Sequence, residues 1–405
     1  DASGASGDLS FQFDPSQVAT VNLGSGNDTV TPTTNFVGGT LDGGQGGDTL
    51  VLNDVSVTSG TITDIETVNL TATSAKTIDY SVFDSDLTDL NINASATTFD
   101  VIVKDFDSGN IDIASTGASL SFTGSSGASS VDIDAPLATA VTLAGTATAL
   151  QTDIDLDFSG VATSATVTIT TGIEALTLRA DASTDVTIDG TGATALTSIR
   201  VTGVDGDVTA TATSAGLVNY DGSAQVDAVT AQLAASADID LGAGDDTINV
   251  TATGASAVIS GDAGIDTIDL SGAGTREIVE ISSLSDLGTL RTVPLDGSAL
   301  TNEVITDFDS GSTAGDDRID LVGGIPSDIE VQTSAGAPNS TDFNTAYALL
   351  DATGTDVVIV DDTSGASATD FMLIGNTTDG YYILEFSNGV GTAATASTTV
   401  TDYFM

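Results

Sequence analysis

Four short segments of this chain set closely spaced glycines before a single aspartate, an arrangement suited to holding a hard cation. Residues Gly43 to Val51 read GGQGGDTLV, a complete nonapeptide G-G-x-G-x-D-x-U-x in which U is a large apolar residue. Leu23 to Thr31 (LGSGNDTVT), Leu241 to Asn249 (LGAGDDTIN) and Gly261 to Asp269 (GDAGIDTID) are close variants of it. Glycine lets the backbone turn tightly with its carbonyls pointing inward. The aspartate supplies a carboxylate oxygen, and the apolar residue starts a short strand that buries the turn. Calcium takes about six to eight oxygens at about 2.3–2.6 Å, which two stacked turns of carbonyls and carboxylates can provide. The candidate metal ligands are therefore Asp28, Asp48, Asp246 and Asp266, set among Gly24, Gly26, Gly44, Gly46, Gly242, Gly244, Asp262 and Gly264. Each aspartate pair is separated by 20 residues, close to the length of one two-strand coil, so each pair is placed to clamp a calcium ion between stacked turns.

The two pairs are copies of one unit. Leu23 to Leu52 aligns without a gap on Leu241 to Leu270 at an offset of 218. A lone Gly-Asp loop is also what a hairpin turn uses; two matched pairs at one offset point to a repeated metal corner. The alignment places Val30 and Ile248, Leu41 and Ile259, and Leu50 and Ile268 inward. A second echo joins Asp64 to Leu70 (DIETVNL) with Gly172 to Leu178 (GIEALTL). Its glutamates, Glu66 and Glu174, have two open roles: binding an ion, or capping backbone amides at a coil corner.

The elements that must carry these corners are short strands. From residue 68 the chain repeats apolar-polar-apolar triplets separated by small polar residues: Val68 to Leu70, Leu90 to Ile92, Ile111 to Ile113, Val131 to Ile133, Ile154 to Leu156, Leu176 to Leu178 and Ile199 to Val201. Between them lie Ile78 to Tyr80, Val101 to Val103, Leu120 to Phe122, Val141 to Leu143, Val167 to Ile169 and Val186 to Ile188. Period-two alternation with gaps rich in Gly, Ser, Asp and Thr predicts strands. Strands this short and regular suit a solenoid, in which each coil buries a few side chains against its neighbours. Stacked β-sandwiches give a similar spacing and remain the alternative. The middle residues Asp112, Asp132 and Asp155 point outward and stack into an acidic ladder, solvated or ion-bound. A helical period is confined to the region of Phe343 to Leu350. The expected fold class is all-β, a parallel β-solenoid or β-roll with calcium-binding Gly-Asp turns and a β-rich C-terminal cap. Its divisions are residues 1–60 (first calcium module), 61–235 (solenoid coils), 236–275 (second calcium module) and 276–405 (cap and export signal).

Composition narrows the function. With 58 acids, 7 Lys plus Arg and no His the net charge is −51, which disorders a chain unless cations neutralise it. Yet 40% of the residues are apolar, as in chains that fold, so cations are expected to be part of the fold. Seven scattered bases form no patch for nucleic acid or anionic membranes. No Cys is present, so there is neither a disulfide framework nor cysteine-ligated zinc. Without His, an H-E-x-x-H zinc site and a Ser-His-Asp triad fail. A two-carboxylate polysaccharide-acting site stays open, although Trp is absent and bases are few. No apolar run is long enough for a membrane span. The chain begins at Asp1 without Met and without a basic-apolar leader, the expectation for a processed form or a piece of a longer protein.

The Gly-Asp nonapeptides, together with coils such as Ile65 to Leu70 (IETVNL), resemble the calcium-dependent RTX-type S-layer proteins of Gram-negative bacteria. Asn302 to Leu321 (NEVITDFDSGSTAGDDRIDL) is similar to the segment that ends the β-roll in serralysin-type secreted proteins, with Asn302 and Glu303 in place of the usual first acid and its neighbour and extra residues before Asp316. This resemblance implies a capping role; Asp307, Asp317 and Asp320 would be its acids. The terminal Asp402-Tyr403-Phe404-Met405 is similar to an uncleaved type I secretion signal. The resemblance implies a secreted, extracellular, cell-surface protein that uses Ca2+, is not an enzyme, and assembles with itself into a lattice or filament. An anchor outside this sequence would add a cell-surface polysaccharide as partner. The alternatives are an RTX adhesin, an extracellular matrix or filament protein, and a secreted polysaccharide-acting enzyme.

Overall fold

The computed structural model describes residues 1–95, 98–104, 110–117, 119–124, 130–135, 137–145, 154–157, 164–180, 184–253, 257–272, 277–283, 287, 303–308, 318–321, 328–334, 340–350, 352, 356–362, 369–378 and 380–388. The chain is nearly all-β, and its parallel strands form a β-solenoid. It divides into two units, Asp1–Gly206 and Asp207–Met405.

In the first unit every strand pairs in parallel with the strand one coil further on. One face runs Ser10–Phe13, Thr29–Pro32, Thr49–Asn53, Thr67–Ala72, Asp89–Ala94 and Asn110–Ser115. It continues through Ser130–Asp134, Ile154–Asp157 and Ala175–Arg179 to Ser198–Thr202. The second face begins at Thr20–Asn22, Phe36–Asp42, Val57–Thr63 and Lys76–Asp79. It reaches Asp185–Asp189 through Thr98–Lys104, Ser119–Gly124, Ala140–Gly145 and Ser164–Ile169. This skip-one parallel register is that of a two-faced roll; sandwiches of antiparallel sheets would pair neighbouring strands instead. Every apolar triplet from residue 68 to 201 touches one of these strands. Pairs such as Val68 and Leu70, Ile111 and Ile113, and Ile154 and Leu156 are buried. Each such side chain contributes about 1.5–3 kcal/mol by leaving water, so stacking coil on coil builds a continuous core that no single coil could bury.

The second unit starts with two strands of 16 residues each, Val208–Ser223 and Asp227–Gly242, paired in parallel with a register shift between Ala212 and Leu217. Each long strand spans both faces. Accordingly Asp227–Gly242 pairs first with Thr247–Thr253 and then with Val258–Ser260. The roll continues through Thr267–Asp269 and Ile278–Ile281 to Glu303–Phe308 and Arg318–Leu321. It ends in a small mixed sheet. Asp328–Ser334 pairs in parallel with Asp356–Asp362, which continues antiparallel into Thr369–Asn376 and Gly380–Asn388. That last strand pairs in parallel with Glu303–Phe308, covering a strand edge that would otherwise be open to other chains. Helix Ser340–Tyr347 lies where the helical period predicts it. Phe343, Ala346 and Leu350 pack there with Val358, Phe371 and Tyr381, and the Phe343 and Phe371 rings meet edge-on at 5.0 Å.

Candidate metal centres

The glycine-rich segments are the corners of the roll, and they stack. Ser25 bridges Gln45, and Ala243 bridges Ala263, in parallel. Gly26 N–H donates to the Gln45 carbonyl and Gly244 N–H to the Ala263 carbonyl, each at 2.8 Å; in return Gln45 N–H donates to Gly24 at 2.9 Å and Ala263 N–H to Gly242 at 3.2 Å. The two copies thus carry the same hydrogen bonds at the same offset. Gly26, Gly46 and Gly244 have φ of 144°, 147° and 145°, values that an L side chain rarely adopts. A Cβ on Gly46 would also strike the Gly26 carbonyl, and one on Gly264 the Gly244 carbonyl. Val30, Leu41, Leu50, Ile248, Ile259 and Ile268 are all fully buried behind these corners, at the inward positions that the alignment predicts.

The aspartates form a ladder running along the corners. Asp28 Oδ1 accepts from Leu9 N–H at 2.7 Å, Asp48 Oδ1 from Asp28 N–H at 2.7 Å, and Glu66 Oε2 from Asp48 N–H. In the second unit Asp246 Oδ1 accepts from Asp227 N–H at 2.7 Å, and Asp266 Oδ1 from Asp246 N–H at 2.8 Å. Each carboxylate therefore caps an amide of the coil before it. Of the two roles open to Glu66, the geometry shows amide capping. Beside it Ile65, 1% exposed, is buried in the corner; Ile173 and Leu87 are buried at later corners in the same way. Where the glycine loop stops, an apolar side chain takes over the filling of the turn.

In Asp28, Asp48 and Asp246 one oxygen is spent on this capping, and the other is not. Asp28, Asp48 and Asp246 are each 1% exposed, yet no hydrogen-bond donor among the described residues reaches their Oδ2 atoms. Burial pushes the Asp48 carboxyl up to about 6, with the Asp28, Glu66 and Asp64 charges adding to it. Burial pushes Asp246 up to about 8, with Asp266 and Asp227 adding. A buried carboxylate oxygen without a donor costs free energy unless a proton or a cation meets it. The donor set is all oxygen, carbonyl and carboxylate, which fits a hard cation such as calcium and not a metal preferring sulfur or nitrogen.

Not every candidate joins this ladder. Asp262 occupies the place of Gly44, with φ of 60°, and its Oδ1 accepts from Ser260 Oγ at 2.6 Å, away from the buried row. Conversely, Asp227 belongs to the row although its corner lacks the full glycine motif. It is fully buried, and its oxygens accept from Ser223 N–H at 2.9 Å, Ser223 Oγ at 2.7 Å and Tyr220 Oη at 3.0 Å. Hydrogen bonds close this first rung of the second module. Its signal was the five-residue step from Gly222 to Asp227, the same as from Gly43 to Asp48.

The outer acidic ladder is in register: Asp112 lies opposite Asp132, and Asp132 opposite Asp155. Burial and then the flanking Asp112 and Asp155 charges raise the Asp132 pKa, while Arg179 sits 3.5 Å from Asp155 at the end of the row. The side chains of Asp307, Asp317 and Asp320, and the tail Asp402 to Met405, lie outside the described residues. The strands of the capping segment do extend the roll, Val304 opposite Thr267 and Arg318 opposite Ile278. No helix among the described residues is long and apolar enough to cross a membrane.

Comparison with protein families, curated proteins and solved structures finds no match to this chain.

Proposed function

We propose that this chain is a calcium-dependent structural protein of the extracellular surface, of the RTX S-layer kind, that folds on binding calcium and assembles with itself. The observation that carries the reading is the set of buried, donor-free carboxylate oxygens of Asp28, Asp48 and Asp246 at duplicated glycine corners. Asp28 and Asp48 would hold calcium in the first module, and Asp246 with Asp266 in the second, the corner carbonyls completing each shell. Bound calcium supplies positive charge where the fold buries negative charge. The side chains do the rest: Oδ1 fixes each carboxylate by accepting an amide of the neighbouring coil, and the glycines keep the backbone close enough for its oxygens to converge. Since such a site exists only in the folded chain, its binding free energy adds to folding free energy.

Self-assembly rests on the charge. At −51, and with a screening length of about 8 Å in physiological salt, copies repel unless divalent ions bridge facing acids such as Asp112, Asp132 and Asp155. Calcium is scarce inside cells and plentiful outside, so the chain would stay unfolded before export and order itself on arrival. Circular dichroism with and without chelator tests folding; the expected result is a weaker β signal and a much lower melting temperature in chelator, and an unchanged melt sinks the reading. Electron microscopy during a calcium titration, with sodium at matched ionic strength, tests assembly. Sheets or filaments in calcium alone support the lattice, and a folded monomer at millimolar calcium supports the adhesin instead.

A further inference from the structure

On the face that runs through Thr67–Ala72, Asp89–Ala94, Asn110–Ser115 and Ser130–Asp134, the outward side chains stand in two columns. One is Asn69, Asn91, Asp112 and Asp132. The other, two residues further along each strand, is Thr71, Asn93, Ala114 and Asp134. Leu70, Ile92, Ile113 and Ile133 between the columns are buried, so both columns face away from the core. Neighbouring strands lie about 4.8 Å apart and alternate residues about 6.6 Å apart, which makes the face a regular grid of polar groups. Ala114 breaks the second column with a side chain that ends at Cβ. A cavity of about 530 Å³ opens over it, walled by both columns, a size typical of sites for small ligands.

The two ends of this cavity differ in chemistry. At one end the amides of Asn69, Asn91 and Asn93 and the Thr71 hydroxyl are uncharged and can both donate and accept. Asn91 Nδ2 donates to Asn69 Oδ1 at 2.9 Å. That bond holds the two amides in line, and no other hydrogen bond among the described residues takes up Asn69 Nδ2 or Asn91 Oδ1. At the other end stand the carboxylates of Asp112, Asp132 and Asp134. The ion pairs among the described residues are Lys76 with Asp54 and Arg179 with Asp155, so these three carboxylates have no basic partner among them. No aromatic ring lines the cavity, so recognition here is polar and not by stacking. A second copy of the chain, at −51, would be repelled. A basic peptide would meet the carboxylates but would lay aliphatic stems on a wall of amides.

We propose that this cavity binds a glycan bearing free amines, of the glucosamine type. Its hydroxyls pair with the amides of Asn69, Asn91 and Asn93, and its ammonium groups donate charge-assisted hydrogen bonds to Asp112, Asp132 and Asp134. The four strands span about 14 Å, so a short oligosaccharide lying across them reaches both ends. The site uses neither the glycine corners nor self-assembly, and a chain that folds without calcium would leave it standing.

Isothermal titration of the full chain tests the site, with calcium held constant because it competes for the same carboxylates. The probes are a β-linked glucosamine tetrasaccharide, its fully N-acetylated counterpart and a lysine tetrapeptide. The glucosamine probe should bind at least about tenfold more tightly than either of the others. Asn91→Ala should weaken it by about tenfold and leave the lysine probe unchanged, whereas Asp132→Asn should weaken both. Absence of glucosamine binding overturns the proposal, as does equal binding of the acetylated probe, since the amine is then not read. Equal binding of the lysine probe overturns it too, reducing the face to attraction between any cation and an acidic chain. Both substituted side chains point outward, so each variant should keep the parent's dichroism spectrum. If Asn91→Ala does not, Ala114→Leu decides in its place: this exposed position forms the floor of the cavity, and filling it should abolish glucosamine binding. Unchanged binding in that variant overturns the proposal.

Discussion

Replacing Asp246 by Asn should change the stability of the second unit in opposite directions with and without calcium. In the calcium-free fold the Asp246 carboxyl is raised from 3.8 to about 8, chiefly by burial. Its folded pKa exceeds the unfolded one, so the fold retains a proton that the unfolded chain releases, and stability falls as pH climbs from about 4 to about 8. At pH 7 roughly three pH units of that window have been crossed, a cost of about 4 kcal/mol at about 1.4 kcal/mol per unit. The amide carries no such cost and keeps the oxygen that accepts from Asp227 N–H at 2.7 Å. It does bring a buried N–H2 donor, which costs about 1–3 kcal/mol if it finds no acceptor. The variant should therefore be more stable than the parent in chelator, by about 1–3 kcal/mol. In excess calcium the sign reverses: a hundredfold loss of affinity removes about 2.7 kcal/mol of linked stabilisation. Hydrogen exchange read by mass spectrometry on peptides from residues 228–250 isolates this unit from the other. Equal shifts of one sign in chelator and in calcium would refute the argument, because a carboxylate that serves only to cap an amide has no reason to respond to the ion.

Ile65→Ala should destabilise the first unit by about 2–4 kcal/mol through the cavity it leaves. The loss should be similar in calcium and in chelator by urea unfolding, since this corner is filled by a side chain and not by an ion. Asp132→Asn relieves a like-charge contact on both sides of its rung. It should raise calcium-free stability at pH 7 by about 0.5 kcal/mol. The Asp132 pKa is raised, so the parent gains stability as pH falls from 7 toward 4; the variant should show a smaller gain in a series of thermal melts.

The roll was legible because its information is local. Triplets such as Val131-Asp132-Ile133 announce both the strand and its inward face, and near-constant spacing announces parallel stacking; together they place Asp112, Asp132 and Asp155 in one row before any coordinates are seen. The corners around Asp28, Asp48, Asp246 and Asp266 were equally legible, because at Gly26, Gly46, Gly244 and Gly264 a tight approach to a neighbouring backbone leaves no room for a side chain. Asp227 was not, since its corner keeps only the outer Gly222 and Asp227 and fills the rest with Ser223 to Val226. The 16-residue strands escaped notice because Ala212 to Gly216 breaks the alternation although the backbone stays extended through the bend. That Glu66 caps an amide depends on where its Oε2 points, which no spacing encodes.

The carboxylate ladder has a direction. In each rung the acceptor belongs to the later coil and the amide to the earlier one: Glu66 to Asp48, Asp48 to Asp28, Asp28 to Leu9, and likewise Asp266 to Asp246 and Asp246 to Asp227. A growing stack therefore has two unlike ends. At its C-terminal face it presents amides still waiting for an oxygen; at its N-terminal face it presents carboxylates still waiting for an amide. Repeat proteins can nucleate anywhere and propagate, but here a coil added on the N-terminal side meets an acceptor that is ready for it, whereas one added on the other side must bring its own. The two directions of growth are therefore chemically unlike, one bringing an amide to a carboxylate and the other a carboxylate to an amide.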